Sequence, residues 1–139
     1  MKPTQRVVAA VLVEENQILA TRRKLERLAG GYFEFPGGKI EAGETPKQAL
    51  QREILEELGD TIKIGPKIPV PSEYEYSYAH ISITFYLAQL QTHNLKQVAA
   101  DHFHWDTPEN LLDLNWLPAT KPVLKWLATQ DLTKVEFND

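Results

Sequence analysis

The stretch from Thr45 to Gly59 (TPKQALQREILEELG) leaves the backbone little choice. Thr45 can cap the first turn, Pro46 suits the first helical position because its missing N–H would have no intrahelical partner there, and Gln48 is placed to close a capping box. Gly59 supplies the left-handed residue on which many helices end. Between these signals Leu50, Ile54 and Leu58 recur at steps of four, so the helix carries one apolar stripe and must lie on an apolar surface.

The surroundings read as sheet. Residues 6–14 (RVVAAVLVE) and 17–22 (QILATR) are apolar and β-branched on either side of a polar turn at Glu15-Asn16, which predicts a largely buried hairpin. After a loop over 23–31, Tyr32-Phe33-Glu34-Phe35 predicts a short strand that stops at Pro36-Gly37-Gly38. Residues 62–68 and 73–78 read as extended, 80–90 (HISITFYLAQL) as a long strand and 103–105 as a short one. Thr107-Pro108-Glu109 opens a short helix to about residue 114, a last helix covers 121–130, and the tail from Asp131 is expected to be loosely held. A chain of 139 residues, 42% hydrophobic, without repeat or linker, is expected to form a single domain over 1–139.

Composition narrows the chemistry. With 15 basic and 19 acidic residues, a net charge of −4 and no run of Lys or Arg, a surface that wraps polymeric nucleic acid is not expected. Small anions remain possible where divalent cations bridge two negative partners. There is no cysteine, so a metal would have to sit on oxygen or imidazole. No apolar stretch has the length of a membrane span, residues 1–6 lack the features of a signal peptide, and a cytoplasmic protein is expected.

On the helix, Glu53, Glu56 and Glu57 stand at i, i+3 and i+4, so three carboxylates project from one patch beside the apolar stripe. A plain solvated acidic face would leave them repelling one another by a few tenths of a kcal/mol per pair, with Arg52 alone well placed to offset Glu56. A bound Mg²⁺ or Mn²⁺ would remove that repulsion, and oxygen ligands shared with substrate phosphates suit these ions. Glu44 can fold back to the patch from the preceding loop. Gly37 and Gly38, otherwise an ordinary turn, would let backbone approach a metal or phosphate closely.

The pattern Gly38-x5-Glu44-x7-Arg52-Glu53-Ile54-x-Glu56-Glu57-x-Gly59 resembles the Nudix box. Thr21-Arg22-Arg23, Glu34-Phe35-Pro36-Gly37-Gly38-Lys39-Ile40-Glu41, Gly43-Glu44-Thr45-Pro46, Glu73-Tyr74-Glu75-Tyr76, His80-Ile81, Trp105 and Leu117-Pro118-Ala119-Thr120-Lys121-Pro122 extend the likeness to the MutT branch. The resemblance implies an α/β/α sandwich around a mixed sheet, the box forming a loop-helix-loop. It implies a hydrolase that uses Mg²⁺, or Mn²⁺, to split a nucleoside triphosphate into monophosphate and pyrophosphate by attack of water on the β-phosphorus. By the same resemblance Glu53, Glu56 and Glu57 ligate metal with a carbonyl of Gly37 or Gly38, Arg52 orients the glutamates, and Glu44 supports the helix and its metal shell. Arg23 and Lys39 are candidates to meet phosphate charge, and Phe35 or Tyr76 to stack on a base.

Three positions depart from the family pattern. Asp60 replaces an aliphatic residue after Gly59, which bears on packing at the helix end. The loop glutamate expected some six residues before Trp105 falls on Ala99, with Asp101, His102 and His104 nearby as substitutes. Thr120 stands where oxidised-guanine-selective relatives carry asparagine, and one hydroxyl cannot present the paired donor and acceptor of an amide. Tyr76 and Tyr78 keep open a dinucleoside polyphosphate or other nucleoside-diphosphate-linked substrate, and the altered loop keeps open a catalytically silent, nucleotide-sensing domain. The partner expected is a small nucleotide; a monomer and a homodimer fit the sequence equally.

Overall fold

The computed structural model describes all residues except 1, 26–29, 71, 93–94, 97–99 and 138–139, and for Asp101 the backbone alone. In chain order the elements are β1 (Thr4–Glu14), β2 (Gln17–Arg23), β3 (Phe33–Glu34), β4 (Gly37–Lys39), α1 (Pro46–Leu58), β5 (Ile62–Lys67), β6 (Ser72–Glu75), β7 (His80–Leu90), β8 (Ala100–Asp106), α2 (Pro108–Leu111) and α3 (Lys121–Leu127), with 3-10 turns at Pro118–Thr120 and Leu132–Lys134.

Strand β1 organises the sheet. One edge runs parallel to β7, from Thr4 opposite His80 to Leu12 opposite Ala88. The other edge is shared: β4 pairs antiparallel at Val7, Val8 and Ala9, and β2 only at Val13 and Glu14. The expected hairpin therefore forms at its tip, where Glu15 takes a φ of 57°, and then splays. Strand β2 leaves to pair with β3 and β8, while β5 and β6 line the far edge of β7. The sheet is mixed, as expected, because β1 and β7 run parallel among antiparallel neighbours.

Residues 8–13 are buried on both faces of the sheet, and the period of two splits them between two cores. Val8, Ala10 and Leu12 pack with Leu50, Ile54 and Leu58 of α1. Ala9, Val11 and Val13 pack on the opposite face with Trp116 and with Val123, Leu124 and Leu127 of α3. These are the layers of the expected α/β/α sandwich. Helix α1 has the predicted ends: Thr45 Oγ1 accepts from the Gln48 N–H at 3.2 Å, Gln48 Oε1 accepts from the Thr45 N–H at 2.9 Å, and Gly59 sits at φ 73°. No helix among the described residues is long and apolar enough to cross a membrane.

Several expectations need correction. Pairing does not stop at Pro36, since β3 pairs with β2 and the glycines resume as β4 on β1. The extended run over 73–78 ends at Glu75, and the chain turns through Tyr76–Ala79. Helix α2 is one turn long, because Trp116 must turn inward, where its indole N–H donates to the Leu111 carbonyl at 2.8 Å. Helix α3 stops at Leu127. The tail is docked: Leu132 is 3% exposed, and Val135 and Phe137 pack against the α3-side core because that face would otherwise stay partly uncovered. Asp60 is buried and replaces aliphatic packing with hydrogen bonds, accepting from the Thr61 N–H at 2.8 Å and the Thr92 N–H at 3.0 Å.

Candidate active site

The acids of α1 face the backbone of β4. Glu57 Oε2 accepts the Gly37 N–H at 3.1 Å. The Glu53 carboxylate lies so close over Gly38 that a Cβ there would stand 2.3 Å from its carboxyl carbon. Glycine is required at this point by the close approach of the Glu53 carboxylate. On the other side of the patch, Arg52 forks onto Glu44 through Nε at 2.8 Å and Nη2 at 2.9 Å, reaches Glu53 from Nη1 at 2.8 Å, and donates to the Lys39 carbonyl at 3.1 Å. Glu56 stands further out, 60% exposed and 3.4 Å from Arg52.

Glu44 folds back as expected. Its carboxylate takes the Arg52 fork and the Glu41 N–H at 2.9 Å, and these donors hold its pKa down to about 2. Arg52 is held still more firmly in its charged form by Glu44 and Glu53. The guanidinium thus ties loop, helix and β4 to one another.

Among the described residues no three His, Asp or Glu side chains are gathered around one point. The donor set nonetheless fits a hard divalent cation. Glu53 and Glu57 present carboxylate oxygens against the Gly37–Gly38 backbone, Glu56 is one helical turn away, and every candidate donor is oxygen.

A cleft of about 80 Å³ opens on the far side of β4, lined by Glu34, Phe35, Gly37, Tyr76, Ala119 and Thr120 with apolar residues of β1 and β7 behind. Strand β4 is therefore a wall shared by the acidic patch and the cleft. Thr120 is 4% exposed and forms part of the lining. Tyr76 lines the cleft with its ring stacked on Tyr78 at 5.5 Å, and burial raises its phenol pKa. Phe35, at 4% exposure, is packed against Trp116 and Phe85, so it contributes a wall and no free stacking face.

The two expected phosphate-binding cations are not brought together. Arg23 bonds Glu34 at 3.0 and 3.2 Å, at the rim of the cleft. The Lys39 side chain is exposed and lines a separate groove with Thr4 and Arg6. Ala99 lies outside the described residues, as does the side chain of Asp101. His102 and His104 project from β8 with rings 6.1 Å apart, and neither lines the cleft or the narrow gap where Glu57, Glu34 and Ala100 meet. Glu34 lines both the gap beside Glu57 and the cleft, and is not among the site residues expected from the sequence; its signal there is its place at the head of the MutT-like run Glu34-Phe35-Pro36-Gly37-Gly38.

Residues 3–127 match the family model of the NUDIX domain. The chain belongs to the Nudix family. The 8-oxo-dGTP diphosphatase of Escherichia coli K12 is 41% identical over 92 residues, covering 64% of this chain and 68% of that protein. The CTP pyrophosphohydrolase of the same organism is 31% identical over 123 residues, covering 86% and 87%. The structure of the MutT protein from Methanosarcina mazei Go1 superposes with a TM-score of 0.81 at 22% identity, over 91% of this chain and 94% of that one, which establishes the common fold. The chain is thus a MutT-like hydrolase that acts on nucleotide phosphoanhydrides.

Proposed function

We propose that this Nudix hydrolase is a Mg²⁺- or Mn²⁺-dependent nucleoside triphosphate pyrophosphohydrolase of the cytoplasm, releasing a nucleoside monophosphate and pyrophosphate. The observation that carries the reading is the shared wall. Glu53 and Glu57 lie against β4 beside a cleft on its other face, so one nucleotide can place phosphates at the acids and a base in the cleft.

Glu53, Glu56 and Glu57, with a carbonyl of Gly37 or Gly38, would hold the ion. When bound, it supplies neutralisation of phosphate charge and acidifies the attacking water. Arg52 keeps Glu53 and Glu44 in place, so that the carboxylates need no rearrangement when substrate arrives. Tyr76 would border the base and Phe35 would back it. Arg23 would reach a phosphate by leaving Glu34. Thr120 offers the base one hydroxyl in place of an amide, a loss of about 0.5–1.5 kcal/mol per missing hydrogen bond. Selection of 8-oxo-dGTP over dGTP through this position is therefore weak, and pyrimidine triphosphates are expected substrates. Of the two E. coli relatives, one is named for an oxidised purine nucleotide and the other for a pyrimidine nucleotide, so both kinds belong among the substrates to be tried.

A panel of CTP, dCTP, dGTP, 8-oxo-dGTP and a dinucleoside tetraphosphate, assayed with Mg²⁺ for pyrophosphate and orthophosphate, tests the reading. Pyrophosphate with monophosphate from the triphosphates is the expected result. Turnover of the dinucleotide alone, or of nothing, would overturn it.

A further inference from the structure

We propose that Ser72 is a positioning residue for base recognition, setting the Ala119–Thr120 wall of the cleft from the neighbouring strand; the proposal rests on the function given above. Ser72 opens β6 and is buried, and its hydroxyl donates to the Ala119 carbonyl at 2.5 Å across 47 residues of sequence. That is the short end of the range for O–H···O bonds. The next residue, Thr120, faces the cleft.

The segment carrying Thr120 is hung from two points. At its start the Phe33 N–H donates to the Asn115 carbonyl at 2.8 Å and the Leu117 N–H donates to the Phe33 carbonyl at 3.0 Å, which ties it to β3. At its end Ser72 ties it to β6. Just past the end of β6, Tyr76 borders the same cleft. One strand thus fixes the distance between the two polar walls a base would lie between. Ser72 touches neither patch nor cleft, so its effect must pass through the backbone at 119–120. Ser72 also lines an open groove of about 420 Å³.

The test is the binding of CMP, UMP, AMP and GMP, with ribose 5-phosphate as a base-free probe, to the wild type, Ser72→Ala and Ser72→Thr. Loss of one hydrogen bond should compress the spread in Kd between the best and worst base by about two- to tenfold in Ser72→Ala. Ribose 5-phosphate should bind it as it binds the wild type, and Ser72→Thr, which keeps the hydroxyl, should restore the spread. If Ser72→Ala does not fold, Ser72→Cys, a weaker donor of similar shape, serves for the same comparison. An unchanged spread in the variant, an equal loss for all five probes, or a wild type that binds every base alike would overturn the proposal. Failure of the proposed activity shows separately, as absence of pyrophosphate release.

Discussion

Gly37 and Gly38 are neighbours, yet alanine should act on them in opposite ways. At Gly38 a Cβ would lie 2.3 Å from the carboxyl carbon of Glu53 and 2.4 and 2.6 Å from its oxygens, where ordinary contact begins at 3.4 Å. The carboxylate must retreat by about 1.1 Å, the difference between 3.4 and 2.3 Å. It can do so, because it is the end of a flexible side chain, and the fold loses little. The proposed chemistry loses much: a misplacement of about 1 Å in a preorganised site costs on the order of a hundredfold. That is about 2.7 kcal/mol of transition-state stabilisation. At Gly37 the Cβ would meet the Val8 carbonyl oxygen at 2.0 Å and the Ala9 Cα at 2.7 Å, backbone of the central strand that cannot rotate aside. Such overpacking costs about 1–3 kcal/mol or more. For a chain of this size, that lowers Tm by roughly 3–15 °C. Steady-state kinetics with Mg²⁺ and thermal unfolding followed by circular dichroism separate the two. Gly38→Ala should lose kcat with its Tm nearly intact, and Gly37→Ala should lose Tm. A Gly38→Ala enzyme with kcat within about threefold of wild type, or one as unstable as Gly37→Ala, would refute the placing of Glu53.

Glu53→Gln and Glu57→Gln should each lower kcat by at least about a hundredfold and weaken Mn²⁺ binding in a titration; equal affinity in wild type and variants would remove the metal assignment. Glu44, held at about 2 against an ordinary 4.5, contributes stability that is complete above pH 4.5 and is lost as the pH falls toward 2, so Tm should drop through that window in the wild type. In Arg52→Gln, which lacks the guanidinium, the drop should be smaller, and an unchanged acid profile would show that Arg52 is not what holds Glu44. Asp60→Ala strands the Thr61 and Thr92 N–H groups and should cost about 1–3 kcal/mol in chemical denaturation, whereas Asp60→Asn keeps an acceptor and should cost less. Leu132→Ala should destabilise by about 2–5 kcal/mol, because Leu132 is buried in the α3-side core, and a change within error would refute the docking of the tail.

Helix α1 was legible because its determinants lie within the helix and its ends. A capping threonine, a proline at the first position, a closing glutamine, a terminal glycine and a stripe at steps of four all act over one or two turns. The acids at 53 and 57 both turn toward β4 for the same local reason, while Glu56 stands further out, and Arg52 reaches Glu44 because one short loop separates them. Residues 8–13 were legible as buried, since an unbroken apolar run has no polar face to offer water. What the sequence left open was partnership. Whether β1 pairs with β2 or with β7 depends on contacts made dozens of residues away, and only the assembled sheet shows that the hairpin parts after its tip. The same holds for Gly37–Gly38, which read locally as a turn and become a strand because β1 has an edge to fill. Phe35 and Tyr76 look alike as aromatic residues of short extended runs, yet Trp116 and Phe85 enclose the first, whereas the second packs on Tyr74 and Tyr78 beside the cleft. The tail reads as loosely held, but Leu132 and Phe137 find a core face that α3 leaves uncovered. Capping and periodicity are short-range and survive in the bare sequence; pairing and burial are set by which surfaces remain once every other element has docked.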